Sequence, residues 1–229
     1  MIAILSDGLD DLYSTLCRLI SIKSIRKLED ATIYIGEING EDVIFSDVML
    51  GGPHIAEVIG EIAICYPITM VIGATNRVST TPYKASINSL GLYATPLQYD
   101  VNFTSFGHPV GYISELKTSV LCSSKFLLKL AKKATIANNF SYIFQNSLYP
   151  CNFMELASKS LYQEKTFQMS FPYTEVPPLS EMAIFHKIPS IIIEGISNYN
   201  NDPCCNYNFN SEEASTKALV VAITMVKLM

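Results

Sequence analysis

The sequence is short of charge: Asp, Glu, Lys and Arg make up 16% of its 229 residues, against 49% hydrophobic ones. That balance is too apolar for a disordered chain and ample for a sizeable core. Basic clusters are scarce as well. Net charge is −5, the pI is near 5.2, and only Lys129, Lys132 and Lys133 gather. A polyanion finds no basic footprint here, so nucleic acid is not an expected partner, and one helix face accounts for the lysine group. Metal-ligand spacing is also missing. The six cysteines (Cys17, Cys65, Cys122, Cys151, Cys204 and Cys205) contain no CxxC pair, and His54, His108 and His186 add no ligand pattern. Neither a metal nor a cofactor is expected. Most of the thiols sit in apolar runs and read as small hydrophobes, reduced in a cytoplasmic protein.

Long hydrophobic runs are absent too. Ala218 to Val226, interrupted by Thr224, is the longest, well short of the roughly 20 residues that span a bilayer. No membrane partner is expected. The opening Met1-Ile2-Ala3-Ile4-Leu5-Ser6-Asp7-Gly8 has no basic n-region and reads as a first strand rather than a signal peptide. With no repeat, linker or low-complexity segment, residues 1–229 read as one domain.

What is present is an alternation of strand and helix patterns. Ile2–Leu5 is a short apolar run of buried-strand type, broken by Asp7-Gly8. Leu9–Ile22 comes next, with helical spacing at Leu12, Leu16, Leu19 and Ile20. Ala31–Ile38 and Asp42–Ser46 read as a hairpin about Asn39-Gly40, because both of those positions tolerate positive φ. Pro53 opens a helix over His54–Cys65, where its missing N–H costs little. Ile68–Ala74 reads as a strand and Val120–Cys122 as a weaker one. Ser123-Ser124 caps a helix over Lys125–Ala134. Ser190–Ile196 is a further strand, and Ser211-Glu212-Glu213 starts the last helix after an Asn-rich loop over Tyr199–Asn210. The alternation predicts an α/β fold: a three-layer α/β/α sandwich with a central mixed, mostly parallel sheet. Ligands of such folds sit beyond the carboxyl ends of the strands. That rule singles out Ser6–Asp11, Met49–His54, Gly73–Val78 and Ser197–Asp202.

Several of these segments carry a resemblance. Asp7–Leu12 after the first strand, the Gly51-Gly52 turn and Gly73-Ala74-Thr75-Asn76 occur in order along the chain. After them come Tyr99-Asp100-Val101-Asn102-Phe103-Thr104-Ser105-Phe106-Gly107, Tyr173-Thr174-Glu175, Lys187-Ile188-Pro189 with Gly195-Ile196-Ser197-Asn198, and Phe209-Asn210-Ser211-Glu212. Together they resemble the 5′-methylthioadenosine/S-adenosylhomocysteine nucleosidases and their futalosine hydrolase relatives, in the purine-nucleoside phosphorylase superfamily.

The resemblance implies hydrolysis of a purine N-glycosidic bond in a 5′-modified nucleoside, through an oxocarbenium-like ribosyl cation. Asp11 falls where the family keeps a water-activating glutamate, with Asp10 as the fallback. The other role open to it is a first-turn acid that complements a helix dipole. Glu175, beside Thr174, would accept the ribose hydroxyls, unless it is a surface acid near Pro177-Pro178. Asn198 departs from a family aspartate that protonates the purine. An asparagine can only exchange hydrogen bonds, which fits either a 6-oxopurine leaving group or a lost activity. Glu194 replaces an arginine and disfavours a phosphate co-substrate, so water is the expected nucleophile. Phe153 and Phe209 stack on the base or pack in the core. Thr75 and Ser197 supply hydroxyls near the ligand. Phe106 and His108 lie where family dimers reach a neighbour's 5′-pocket, and His108 also reads as an ordinary loop histidine. The implied partners are a purine nucleoside and a second copy of the chain. The competing reading is a non-catalytic relative that keeps the fold and nucleoside binding.

Overall fold

The computed structural model describes residues 1–6, 12–28, 31–48, 55–79, 86–98, 104–108, 123–149, 177–199 and 207–229. Eight strands form one sheet: β1 (Ile2–Ser6), β2 (Ser21–Lys27), β3 (Thr32–Ile38), β4 (Glu41–Asp47), β5 (Met70–Ser79), β6 (Leu90–Gln98), β7 (Tyr142–Tyr149) and β8 (Ser190–Tyr199). Their order is β2-β3-β4-β1-β5-β8-β6-β7. Four of the seven pairings are parallel, and β2-β3, β3-β4 and β6-β8 are antiparallel.

Among the described residues five α-helices cover the two faces: α1 (Leu12–Leu19), α2 (Ile55–Cys65), α3 (Lys125–Ala137), α4 (Pro177–Phe185) and α5 (Tyr207–Lys227). Strand alternation divides the sheet's apolar side chains between them. Ile2, Ile4, Phe45, Ile72, Ile191 and Ile193 pack against Leu16 of α1, Leu127 of α3 and Leu219 of α5. Ala3, Leu5, Ile44, Val71 and Ile192 pack against Ile55, Ile59 and Ile62 of α2 and Leu179 of α4. This is the three-layer α/β/α sandwich expected from the alternation. Helix α5 is buried on nearly every side from Ala214 to Val226, as a helix in the middle of its layer must be.

Local chemistry explains the elements that match expectation. Asn39 and Gly40 have φ of 51° and 87°, the pair of left-handed residues that a two-residue hairpin turn needs. In α2 the buried Ile55, Val58, Ile59 and Ile62 trace one helical stripe. The Ser124 hydroxyl accepts the Leu127 N–H at 3.5 Å at the start of α3.

Other elements correct the reading. Helix α1 ends at Leu19, and Ser21-Ile22, expected inside it, belong to β2. That strand is exposed along most of its length, so backbone pairing with β3 holds it, and no alternation of burial announces it. Strand β6 has no clean strand pattern because Gly91 and Pro96 interrupt it, and its register slips between Tyr93 and Pro96. Edge strand β7 is masked in the sequence by its polar stretch Gln145-Asn146-Ser147. Helix α4 begins on Pro177-Pro178, which look like a turn but suit a first helical turn equally well. Helix α5 starts at Tyr207, so Ser211 lies inside it rather than at its cap, and residues 207–210 are helical rather than loop. Cys17 and Cys65 are free and exposed, not the core hydrophobes expected of them. Val120–Cys122 lies outside the described residues.

Candidate functional site

Strands β4, β1, β5 and β8 are neighbours and all run the same way. Their carboxyl ends therefore open on one edge of the sheet, where Ser6, Gly73–Val78 and residues 197–199 of the segments chosen from the sequence stand, while Met49–His54 lies outside the described residues. Connections leaving neighbouring parallel strand ends converge on a common crevice.

Near the level where β1 ends, buried positions of these strands become largely polar, with Ile196 of β8 still apolar. Ser6 is 1% exposed, Thr75 4%, and Ser46, Glu194 and Ser197 are all 0%. The Ser46 hydroxyl donates to Thr32 O at 2.9 Å, and the Val48 N–H donates to Ser6 O at 2.9 Å. Thr75 pairs in register with Glu194, and Asn76 with Gly195. By alternation, Thr75 and Glu194 share the α2/α4 face with Val71 and Ile192. Asn76 and Gly195 share the α5 face with Ala74 and Ile193. Glu194 is the one charged side chain in the buried set among the described residues. Burying a carboxylate carries a desolvation cost that hydrocarbon at the same position would avoid. Such groups concentrate at functional sites.

Two contacts tie α5 to this edge. The Asn76 side-chain amide donates to the Ser215 hydroxyl at 3.0 Å. Gly195 lies so near the helix that a Cβ there would sit 2.2 Å from the Ala214 carbonyl oxygen. Only glycine allows that approach. One step beyond, Arg77 pairs with Ile196 and Val78 with Asn198, which leaves Ser197 as an extra residue in β8. A bulge of this kind bends the strand, and Asn198 follows it.

Of the expected site residues, Thr75 and Ser197 are brought to neighbouring strands at this edge, and both are buried. Asn198 is the ninth residue of β8 and Phe209 the third of α5 by backbone, while their side chains lie outside the described set. Asp11, Phe153, Thr174 and Glu175 lie outside the described residues altogether. Phe106 and His108 are exposed, Phe106 at 76%, in and just after a short 3-10 turn over Thr104–Phe106. Ser46 and Ser215 are additions that sequence reasoning missed, and Asn76 lies in the expected Gly73–Val78 segment without a role of its own assigned from sequence. For Ser46 and Asn76 the available signal was a polar residue closing an apolar run where a parallel strand ends. For Ser215, buried in a helix interior, the only signal was a hydroxyl within an apolar stripe. Among the described residues no group of three or more His, Cys, Asp or Glu is arranged to hold a metal ion, and no helix is long and apolar enough to cross a membrane.

A mixed sheet between two helical layers, with buried polar residues toward the carboxyl ends of its central parallel strands, matches the nucleoside phosphorylase/hydrolase type of α/β fold. Within that fold the chain is similar to the 5′-methylthioadenosine/S-adenosylhomocysteine nucleosidases. It is 22% identical over 205 residues to the nucleosidase of that name from Buchnera aphidicola, covering 89% of this chain and 81% of that one. The futalosine hydrolase of Helicobacter pylori shares its fold, with a TM-score of 0.84 at 17% identity, over 100% of this chain and 98% of the other. So does a Helicobacter pylori nucleosidase in which one aspartate is replaced by asparagine, with 5′-methylthioadenosine in its active site. Its TM-score is 0.84 at 19% identity, again over 100% and 98%. No family model matches the chain.

Proposed function

We propose that the chain is a purine-nucleoside N-glycosidase that hydrolyses a 5′-modified nucleoside, such as methylthioadenosine, S-adenosylhomocysteine or a futalosine-type compound. The products are the free purine and a ribose derivative. The observation that carries this reading is the run of buried polar rungs at the carboxyl ends of β4, β1, β5 and β8, in a chain related in sequence and fold to nucleosidases.

In this reading the purine end lies over β8 and the first turns of α5, with Asn198 hydrogen-bonding the base and Phe209 and Phe153 against its faces. Thr75 and Ser197 offer hydroxyls at the crevice floor. Glu175, next to Thr174, accepts hydrogen bonds from the ribose hydroxyls, and Asp11 positions and deprotonates the attacking water. A carboxylate buried at Glu194 disfavours an inorganic anion beside it, so water attacks and not phosphate. No metal or cofactor takes part. The chain acts as one domain over residues 1–229, in the cytoplasm, as a homodimer.

One observation favours a second reading. Asn198 stands where an acid would protonate the leaving purine, and loss of a general acid costs about 10²–10⁴ in rate. The Helicobacter pylori aspartate-to-asparagine form carries methylthioadenosine in its active site. A nucleoside-binding relative without turnover would have the same composition of site. A panel of 6-amino and 6-oxo purine nucleosides, with and without phosphate, separates the readings by chromatography of the released base. Phosphate-independent release of adenine or hypoxanthine is the expected result. Purine binding without release establishes the second reading, and neither binding nor release removes both.

A further inference from the structure

We propose that Asn76 and Ser215 are positioning residues that set the height of α5 over the purine end of the crevice. This rests on the nucleosidase reading above and adds a determinant of base affinity that makes no contact with the base.

The pair is conspicuous because each residue suits its own element poorly. Asparagine is depleted in strands, and serine is a weaker helix former than the alanines that flank it at Ala214 and Ala218. Packing alone would favour hydrocarbon at both positions. Ser215 is fully buried, and its hydroxyl receives the Asn76 amide from 139 residues away in the chain at 3.0 Å. Departures from local preference that are satisfied only by each other mark a position where something besides stability matters.

The geometry says what that is. Asn76 and Gly195 are register partners on β5 and β8, and Ser215 and Ala214 are consecutive on α5. The steric contact of Gly195 with the Ala214 carbonyl sets how near the helix comes. The directional bond between Asn76 and Ser215 sets where along the strands it stops. Immediately beyond this lock β8 bulges at Ser197, and Asn198 is the next residue of the strand. Six residues before Ser215, about 9 Å along the helix axis, is Phe209. The two groups assigned to the purine are thus carried by separate elements whose relative height this bond defines.

The structure also holds a matched control. At the far end of α5, Asn138 donates its side-chain amide to the Thr224 hydroxyl at 2.9 Å, tying α3 to the same helix. It is the same kind of bond, nine residues and about 13 Å further from the crevice. A merely structural role would make the two bonds equivalent in their effect on function.

The test compares Asn76→Ala, Ser215→Ala, their double mutant and Asn138→Ala in the full-length chain. Each is assayed for KM and kcat on the best nucleoside of the panel, and for adenine and hypoxanthine affinity by calorimetry, well below its melting temperature. Expected is an increase of about fivefold in KM and in purine Kd for each crevice variant, with kcat within about twofold. The double mutant is no worse than either single one, as coupled partners require. Asn138→Ala lowers the melting temperature but leaves KM and purine Kd unchanged. Should an alanine variant fail to fold, Asn76→Leu keeps the volume and removes the donor. Unchanged KM and Kd in the crevice variants, or an equal rise in Asn138→Ala, overturns the positioning role while leaving nucleosidase activity standing. A wild-type chain that neither cleaves nucleosides nor binds purine overturns the reading on which it rests.

Discussion

The middle rungs of β1, β4, β5 and β8 and their last rungs obey different rules. In the middle stand Ile4, Ile44, Ile72 and Ile193, all fully buried, each worth about 1.5–3 kcal/mol in apolar area removed from water. One to four residues further on stand Ser46, Asn76, Glu194 and Ser197, three of them just as buried. Those positions gain little from the hydrophobic effect and carry a cost for every polar group that lacks a partner. The boundary lies within single strands, so burial alone did not choose the residues. Stability is made in the middle of the sheet, and the proposed chemistry lies at its edge.

Four substitutions would break or sharpen that contrast. The largest effect belongs to Asn198→Asp, which restores a proton donor at the edge. Turnover of 6-aminopurine nucleosides should rise by about 10²–10⁴ relative to 6-oxopurine ones, with little change in urea stability. An unchanged ratio of adenine to hypoxanthine release would remove Asn198 from leaving-group chemistry. Next is Ile193→Ala in the middle, expected to cost about 2–5 kcal/mol in urea unfolding. Purine affinity per folded molecule should hold, and a matching loss of affinity would erase the distinction between the two zones.

Gly195→Ala falls between the zones. Its new methyl would meet the Ala214 carbonyl oxygen at 2.2 Å, so α5 must shift, at about 1–3 kcal/mol for overpacking. Here stability and purine affinity should fall together, as seen by unfolding and calorimetry on the same sample. The smallest effect is expected far from both zones. Lys23 bonds Glu37 at 2.6 Å and Asp42 at 3.1 Å, and its side chain is 49% exposed. Those two carboxylates, Glu37 first, hold its ammonium above the ordinary lysine value. A raised pKa contributes stability that is complete below the unfolded lysine value, about 10.4, and is lost as pH climbs through the folded one. Lys23→Ala should therefore leave the neutral-pH melting temperature within error, screened by solvent. The wild type's small advantage should vanish only in strongly alkaline buffer. A clear drop at pH 7 would show that this exposed network does more than its solvent exposure allows.

How far the sequence could be read depended on whether a residue's partner was near in the chain. Asn39-Gly40 names its own turn, and the stripe from Ile55 to Ile62 names its own helix, because backbone φ and helical period are local properties. Strand β2 has no buried alternation to betray it, since backbone pairing with β3 and exposed side-chain contacts such as Lys23–Glu37 hold it. Strands β6 and β7 are likewise held by a pairing with each other that no local pattern encodes. At the candidate edge, Thr75 and Ser197 were legible as residues closing apolar runs, and their contact with a ligand is part of the proposal. Asn76 and Ser215 were not, because each looks ordinary until the other is beside it.

The amino-acid order by itself determined the layered α/β class, the hairpin and the strand ends at which a ligand would sit, because periodicity and turn chemistry act over a few residues. Only the tertiary structure decided that β4, β1, β5 and β8 lie side by side with their carboxyl ends on one edge. It also decided that Glu194 is fully buried and that α5 is pinned by Asn76 and Gly195. Those facts depend on which distant segments meet, and contacts between residues 139 positions apart leave no periodic trace in either segment.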